Sequence, residues 1–125
     1  MDHNNIEIIT SFMQAWTRLD ANELAGYFAE DGIYHNMPAR PVTGRENIKL
    51  FIESFIQQWT ETDWLIINIA EVGNTVMVER LDKTKTLQGN VDLPCTGVFE
   101  MSAGKIREWR DYFDLSTYRN AMMPK

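Results

Sequence analysis

The chain has 125 residues, a net charge of −6 and a pI near 4.8, which argues against a nucleic-acid or anionic-membrane surface. Hydrophobic residues make up 44% of it, enough for a single domain over residues 1–125 with a core that needs no staples. The lone cysteine, Cys95, excludes an internal disulfide and fits a reducing, cytoplasmic setting.

The first residues, Met1 to Asn5, carry neither a basic nor an apolar segment, so no signal peptide is expected. No run approaches the ~18 apolar residues of a membrane span. Residues 5–18 read as an amphipathic helix, with Ile6, Ile9, Phe12, Met13 and Trp16 at helical spacing. Asp20 and Glu23 form a capping-box pattern that opens a short second helix through Phe28. Asp31-Gly32 reads as a turn, and Ile33 to Asn36 as a short strand. After Pro38 and Pro41, Thr43 and Glu46 make a second capping-box pattern. It opens a helix to about Trp59, with Ile48, Phe51, Ile52, Phe55 and Ile56 on the buried face.

From there the period changes to two. Residues 64–71, 75–87, 90–101 and 105–114 read as four strands, with turns at Gly73-Asn74, Gly89-Asn90 and Ala103-Gly104. A short helix from about Ser116 closes the chain, with Asp114 as its cap. Helices first and an antiparallel meander after them indicate an α+β fold. The expected architecture is a strongly curved, mostly antiparallel sheet shaped as a cone. Three to four helices pack over it and leave an apolar pocket.

Alternate strand residues share a face, and this places charge where the pattern is apolar. Val76, Val78, Arg80 and Asp82 share one face of their strand, and Trp109, Asp111 and Phe113 share one face of theirs. Buried charge is costly unless paired, so two acids and one guanidinium facing a core suggest a functional cluster. Taken alone, Arg80 and Asp82 read as a structural ion pair, Tyr34 as a core aromatic and Asn36 as a loop residue. Their value comes from joining one another. Leu93 and Cys95 share parity and are expected to line the pocket wall with Trp109 and Phe113. Cys95 reads as a small wall residue, not a nucleophile, since no His partner is evident. Glu79 and Glu100 alternate out of this face. His3 and His35 do not make a metal-ligand spacing, and no metal is expected. No Gly-rich phosphate loop is present, so no cofactor is expected.

The segments Tyr34-His35-Asn36-Met37-Pro38, Gly44-Arg45, Glu79-Arg80-Leu81-Asp82, Gly97-Val98-Phe99, Gly104-Lys105-Ile106 and Trp109 through Asp114 resemble limonene-1,2-epoxide hydrolases. Those enzymes belong to the cone-shaped superfamily of nuclear transport factor 2, ketosteroid isomerases and polyketide cyclases. The resemblance runs from the first helix to the last. It implies one-step hydrolysis of an epoxide, without a covalent intermediate, metal or cofactor. By motif, it makes Asp82 the general acid and Asp111 the general base. Arg80 would bridge them, while Tyr34 and Asn36 would hold the attacking water with Asp111. It also implies a homodimer, and a small apolar epoxide, cyclic or terpene-like, as substrate.

Chemistry agrees with that division of labour. Epoxide opening needs a proton for the departing oxygen and an activated nucleophile on the opposite side. Two carboxyls in different protonation states supply both. Two other readings compete. An isomerase-like or cyclase-like enzyme on the same fold would use one base and an oxyanion hole, and Arg80 between two acids suits it less well. A non-enzymatic binding module would leave Asp82 and Asp111 dispensable.

Overall fold

Four α-helices and one six-stranded open sheet make up the computed structural model, which describes residues 4–123. His3 lies outside the described residues. Helix α1 (Asn5–Ala15) is capped by Asn4, whose side chain accepts from the Glu7 amide at 3.1 Å. The expected helix to residue 18 instead tightens into a 3-10 turn at Trp16–Arg18 and ends at Leu19 in the left-handed region. Helix α2 (Ala21–Ala25) has Asp20 as its cap, accepting from the Asn22 and Glu23 amides. Only half of the capping box forms, because the Glu23 carboxylate pairs with Arg18 at 2.7 Å.

Helix α2 does not reach Phe28. Strand β1 (Phe28–Asn36) starts there and absorbs Asp31-Gly32, a turn by its sequence. Its pairing is irregular between Phe28 and Ile33, and Gly32 fits there because an added Cβ would meet the Ala29 and Ile106 carbonyl oxygens at 3.0 and 3.1 Å. Turn residues inside an irregular strand look like a turn to the sequence. Thr43 does not cap the next helix. It sits in the two-residue strand β2 (Val42–Thr43), and helix α3 (Arg45–Ile56) begins after Gly44, at φ 95°. The Arg45 guanidinium donates to the Phe28 carbonyl and ties the helix start to β1.

The remaining strands are β3 (Trp59–Val72), β4 (Thr75–Thr86), β5 (Asn90–Ser102) and β6 (Lys105–Phe113). Helix α4 (Leu115–Met122) follows, with Asp114 accepting from the Ser116 amide as its cap. Strand β3 thus begins at Trp59, where the helical spacing of α3 predicts its end. The sheet order is β2-β1-β6-β5-β4-β3, and every pairing is antiparallel except β1 with β6. The Ala103-Gly104 turn has both residues at positive φ, as a tight two-residue hairpin requires.

Bulges bend the sheet. One falls in β3 between Ile66 and Asn68 and another in β6 between Ile106 and Glu108. The first leaves Ile67 exposed and re-aims Ile69 inward. On the inner face α1 and α3 pack a core of Ile9, Phe12, Trp16, Ile48, Ile52, Val76, Val78, Phe99, Ile106 and Trp109. Among the described residues no helix is long and apolar enough to cross a membrane.

Candidate active site

Strands β4 and β6 are not neighbours; β5 lies between them. Arg80 on β4 nevertheless reaches Asp111 on β6. Cys95 pairs with Arg80 in register, and Gly97 pairs with Asp111. The guanidinium therefore lies across β5 where β5 carries a small side chain and then none. A Cβ on Gly97 would come within 2.9 Å of Trp109 Nε1 and 3.1 Å of Arg80 Nη1. A lone glycine in a strand interior marks such a close approach.

Arg80 binds both acids. Nε donates to Asp82 Oδ1 at 2.8 Å and Nη2 to Asp82 Oδ2 at 3.1 Å. Nη1 and Nη2 donate to Asp111 Oδ1 and Oδ2, each at 2.7 Å. All three side chains are buried, Arg80 to 1% exposure. The guanidinium also lies 4.4 Å from the Trp64 ring centroid and 5.5 Å from that of Trp109, in cation–π range. Trp64 is fixed in turn by donating to Thr62 Oγ1 at 3.0 Å and by stacking on Trp16 at 4.1 Å.

The two carboxyls differ. Both Asp111 oxygens take short, charge-assisted bonds from Arg80. Asp82 Oδ2 has longer contacts, to Arg80 and to the Cys95 thiol at 3.5 Å. Burial pushes the Asp82 carboxyl up to about 6, against the opposing pull of Arg80. The neighbouring Asp111 charge adds to the rise, and the thiol bond opposes it. Burial also pushes the Cys95 thiol well up, so it stays a donor. Burial works against the Arg80 charge too, yet Asp111 and Asp82 hold it well above the ordinary guanidinium value.

Asn36 pairs with Asp111, and Tyr34 with Trp109, across the parallel β1–β6 ladder. Tyr34 stacks on Trp109 at 4.3 Å and 2°, which aims the phenol. Burial, and then the Asp111 charge, raise the phenol well above its usual value, so it stays protonated. The Asn36 region is pinned by the Met37 amide donating to the Asp111 carbonyl at 2.8 Å.

A cavity of about 320 Å³ opens over these groups. Asp82, Asp111, Tyr34 and Asn36 lie at its polar end, and its walls include Phe51, Phe55, Leu93, Cys95, Phe113 and Leu115. Its size falls in the range of roughly 300–1,000 Å³ usual for small-molecule sites. The expected wall residues Leu93, Cys95 and Phe113 are there. Trp109 is not: it is fully buried behind Tyr34, and packs on Phe99 and Phe12. Arg80 likewise lies behind the acids, outside the wall. Trp109 shares the inward face, as its parity indicates, but facing the interior is not the same as touching the cavity. Among the described residues no group of His, Cys, Asp and Glu could hold a metal ion.

Several site residues escape the sequence reading. Helical spacing puts Phe51 and Phe55 in the core, but they are half-buried cavity walls. Leu115, Tyr118 and Arg119 arrive on α4, a helix with no fully buried residue. The Cys95 donor role and the Gly97 gap are visible only once the strand register is known. Lone small residues opposite Arg80 and Asp111 are the signal that marks them.

The family model for the limonene-1,2-epoxide hydrolase catalytic domain matches residues 3–123. The chain belongs to that family. Many solved structures share its fold. A hypothetical protein with a ketosteroid isomerase-like fold from Catenulispora acidiphila DSM 44928 is 23% identical, with a TM-score of 0.85, over 95% of this chain and 94% of that one. A limonene-epoxide-hydrolase-like epoxide hydrolase from M. tuberculosis is 24% identical, with a TM-score of 0.81, over 94% and 88%. A protein assigned as a SnoaL-like polyketide cyclase from Shewanella putrefaciens CN-32 is 19% identical, with a TM-score of 0.85, over 98% of each. At these identities the likeness shows a shared fold alone, and fold does not settle chemistry.

Proposed function

We propose that this member of the family is a cofactor-independent epoxide hydrolase. It would add water in one step to a small apolar epoxide, cyclic or terpene-like such as limonene-1,2-epoxide, to give a vicinal diol. The observation that carries the reading is Arg80 clamping two unequal buried acids at the polar end of an apolar cavity.

In the proposed reaction a water held by Asp111, Tyr34 and Asn36 attacks one epoxide carbon. Asp111 takes a proton from that water as the new carbon–oxygen bond forms. The bond from that carbon to the epoxide oxygen breaks, and Asp82 delivers its proton to the departing oxygen. The diol then holds all atoms of the epoxide and one water. Asp111 ends protonated and Asp82 ionised, and one proton passes between them to restore the start. Arg80 holds a single net negative charge on the pair through both states, so the pair titrates as a unit. Each acid or base step is worth about 10²–10⁴-fold, and positioning supplies much of the rest.

An isomerase-like or cyclase-like reaction needs one base and an oxyanion hole. A guanidinium whose donors are taken by two Asp side chains is not free to bind a developing oxyanion, which favours hydrolysis. The homodimer and the cytoplasmic setting belong to the same proposal. Exposed Leu65, Ile67, Met77 and Tyr112 on the outer face of the sheet support a partner there. Diol formation from limonene-1,2-epoxide and cyclohexene oxide by the purified protein tests the reading. Wild-type turnover that vanishes in Asp82→Asn and in Asp111→Asn supports it. Turnover that survives either change overturns the roles.

A further inference from the structure

The cavity has polar lining besides the acid pair and its partners: Tyr118 and Arg119, both on α4. Tyr118 already accepts from Trp59 Nε1 at 3.0 Å. An indole N–H only donates, so the phenol oxygen is the acceptor in that bond and its own hydrogen is left to donate elsewhere. Among the described residues that hydrogen has no partner, and Arg119 makes no ion pair. Asp114, the acid at the start of α4, is taken up by capping, accepting from Ser116 and Thr117. Asp82 and Asp111 are taken up by Arg80. This part of the lining, with Arg119 exposed at the rim and Tyr118 half-buried, thus presents a cation and a hydroxyl donor with no acceptor assigned to either.

Resting on the hydrolase reading but replacing its wholly apolar substrate, we propose that the substrate is an amphiphile: a mostly apolar epoxide that carries a carboxylate away from the oxirane. The carboxylate accepts from Arg119 and Tyr118 while the apolar middle lies against Phe51, Phe55 and Phe113. A guanidinium matches a carboxylate in charge and geometry. The chain's net charge of −6 gives no long-range attraction for an anion, so the preference must be local. A carboxylate bound there would also set which epoxide carbon faces the water.

The test compares 3,4-epoxycyclohexane-1-carboxylate with its methyl ester, in wild type, Arg119→Gln and Arg119→Lys. The acid should have a KM roughly tenfold below that of the ester, the worth of one charge-assisted contact. That ratio should collapse toward one in Arg119→Gln, and recover in part in Arg119→Lys. Equal KM values for acid and ester in the wild type overturn the proposal. So does a ratio that Arg119→Gln leaves in place, as expected if the cation only serves the last turn of α4. Calorimetric binding of cyclohexanecarboxylate and cyclohexanecarboxamide keeps the two readings apart. If neither epoxide is opened, the hydrolase reading fails. Carboxylate binding that is tighter than amide binding and lost in Arg119→Gln would still support the anion site, and equal binding would reject it.

Discussion

Arg80 and Asp111 sit on strands separated by a third, yet their side chains meet through two bonds of 2.7 Å. Adjacent strands are about 4.8 Å apart, so the guanidinium and the carboxylate together span ~10 Å of sheet. Only a long side chain passing over Cys95 and Gly97 can do this. The dependence of a charged cluster on an absent side chain leads to the first prediction.

Gly97→Ala should damage both stability and turnover. The new methyl would press on Trp109, Phe99 and Arg80 together, each at 2.9–3.1 Å. Overpacking of this kind costs about 1–3 kcal/mol. Urea denaturation of the variant measures the loss, and an unchanged midpoint would mean that β5 simply moves aside.

Arg80→Ala should destabilise more strongly. It leaves two buried acids without their cation, a change worth about 3–5 kcal/mol when a buried pair is broken. The variant should recover stability at low pH, where both acids can take up protons. Melting curves across pH check this. A uniform loss at every pH would assign Arg80 a packing role only.

Asp82 sets the pH dependence. Its folded value is raised from 3.8 to about 6, and its protonated form is the proposed acid. Turnover should therefore fall as pH rises through about 6, by about tenfold per further pH step. The same shift has a stability sign. The folded state holds this proton more tightly than the unfolded chain. Its contribution is complete below the unfolded value and is lost as pH rises through about 6. Wild type should lose stability relative to Asp82→Asn as pH rises from about 4 through about 6, and no further above that.

Cys95 should tune that profile. Its thiol donates to Asp82 Oδ2, which favours the ionised carboxyl. Cys95→Ala should move the high-pH fall of kcat/KM upward, and Cys95→Ser, which keeps a donor, should move it back. An identical profile in all three proteins would reduce Cys95 to a wall residue.

Much of the site is legible in the strands. Period-two patterning places Arg80, Asp82 and Asp111 inward, and all three are buried together. It cannot separate facing the interior from touching the cavity, which is why it assigns Trp109 to the wall when the ring lies behind Tyr34. Local signals fail where tertiary pairing overrides them. Asp31-Gly32 reads as a turn but lies in β1, because the parallel ladder with β6 tolerates an irregular stretch. Thr43 reads as a cap but is drawn into β2 by pairing with Ile33. The reach of α4 over the cavity has no local signature, since its contacts with Leu93 and Cys95 depend on how the sheet curves.

The most direct measurement is a single turnover of an epoxide in ¹⁸O-water with unlabelled protein in excess. Direct attack by water places ¹⁸O in the diol on the first turnover, and this is the expected result. Unlabelled diol with ¹⁸O left in an aspartate carboxyl would mean an ester intermediate, and would contradict Asp82 as general acid and Asp111 as general base.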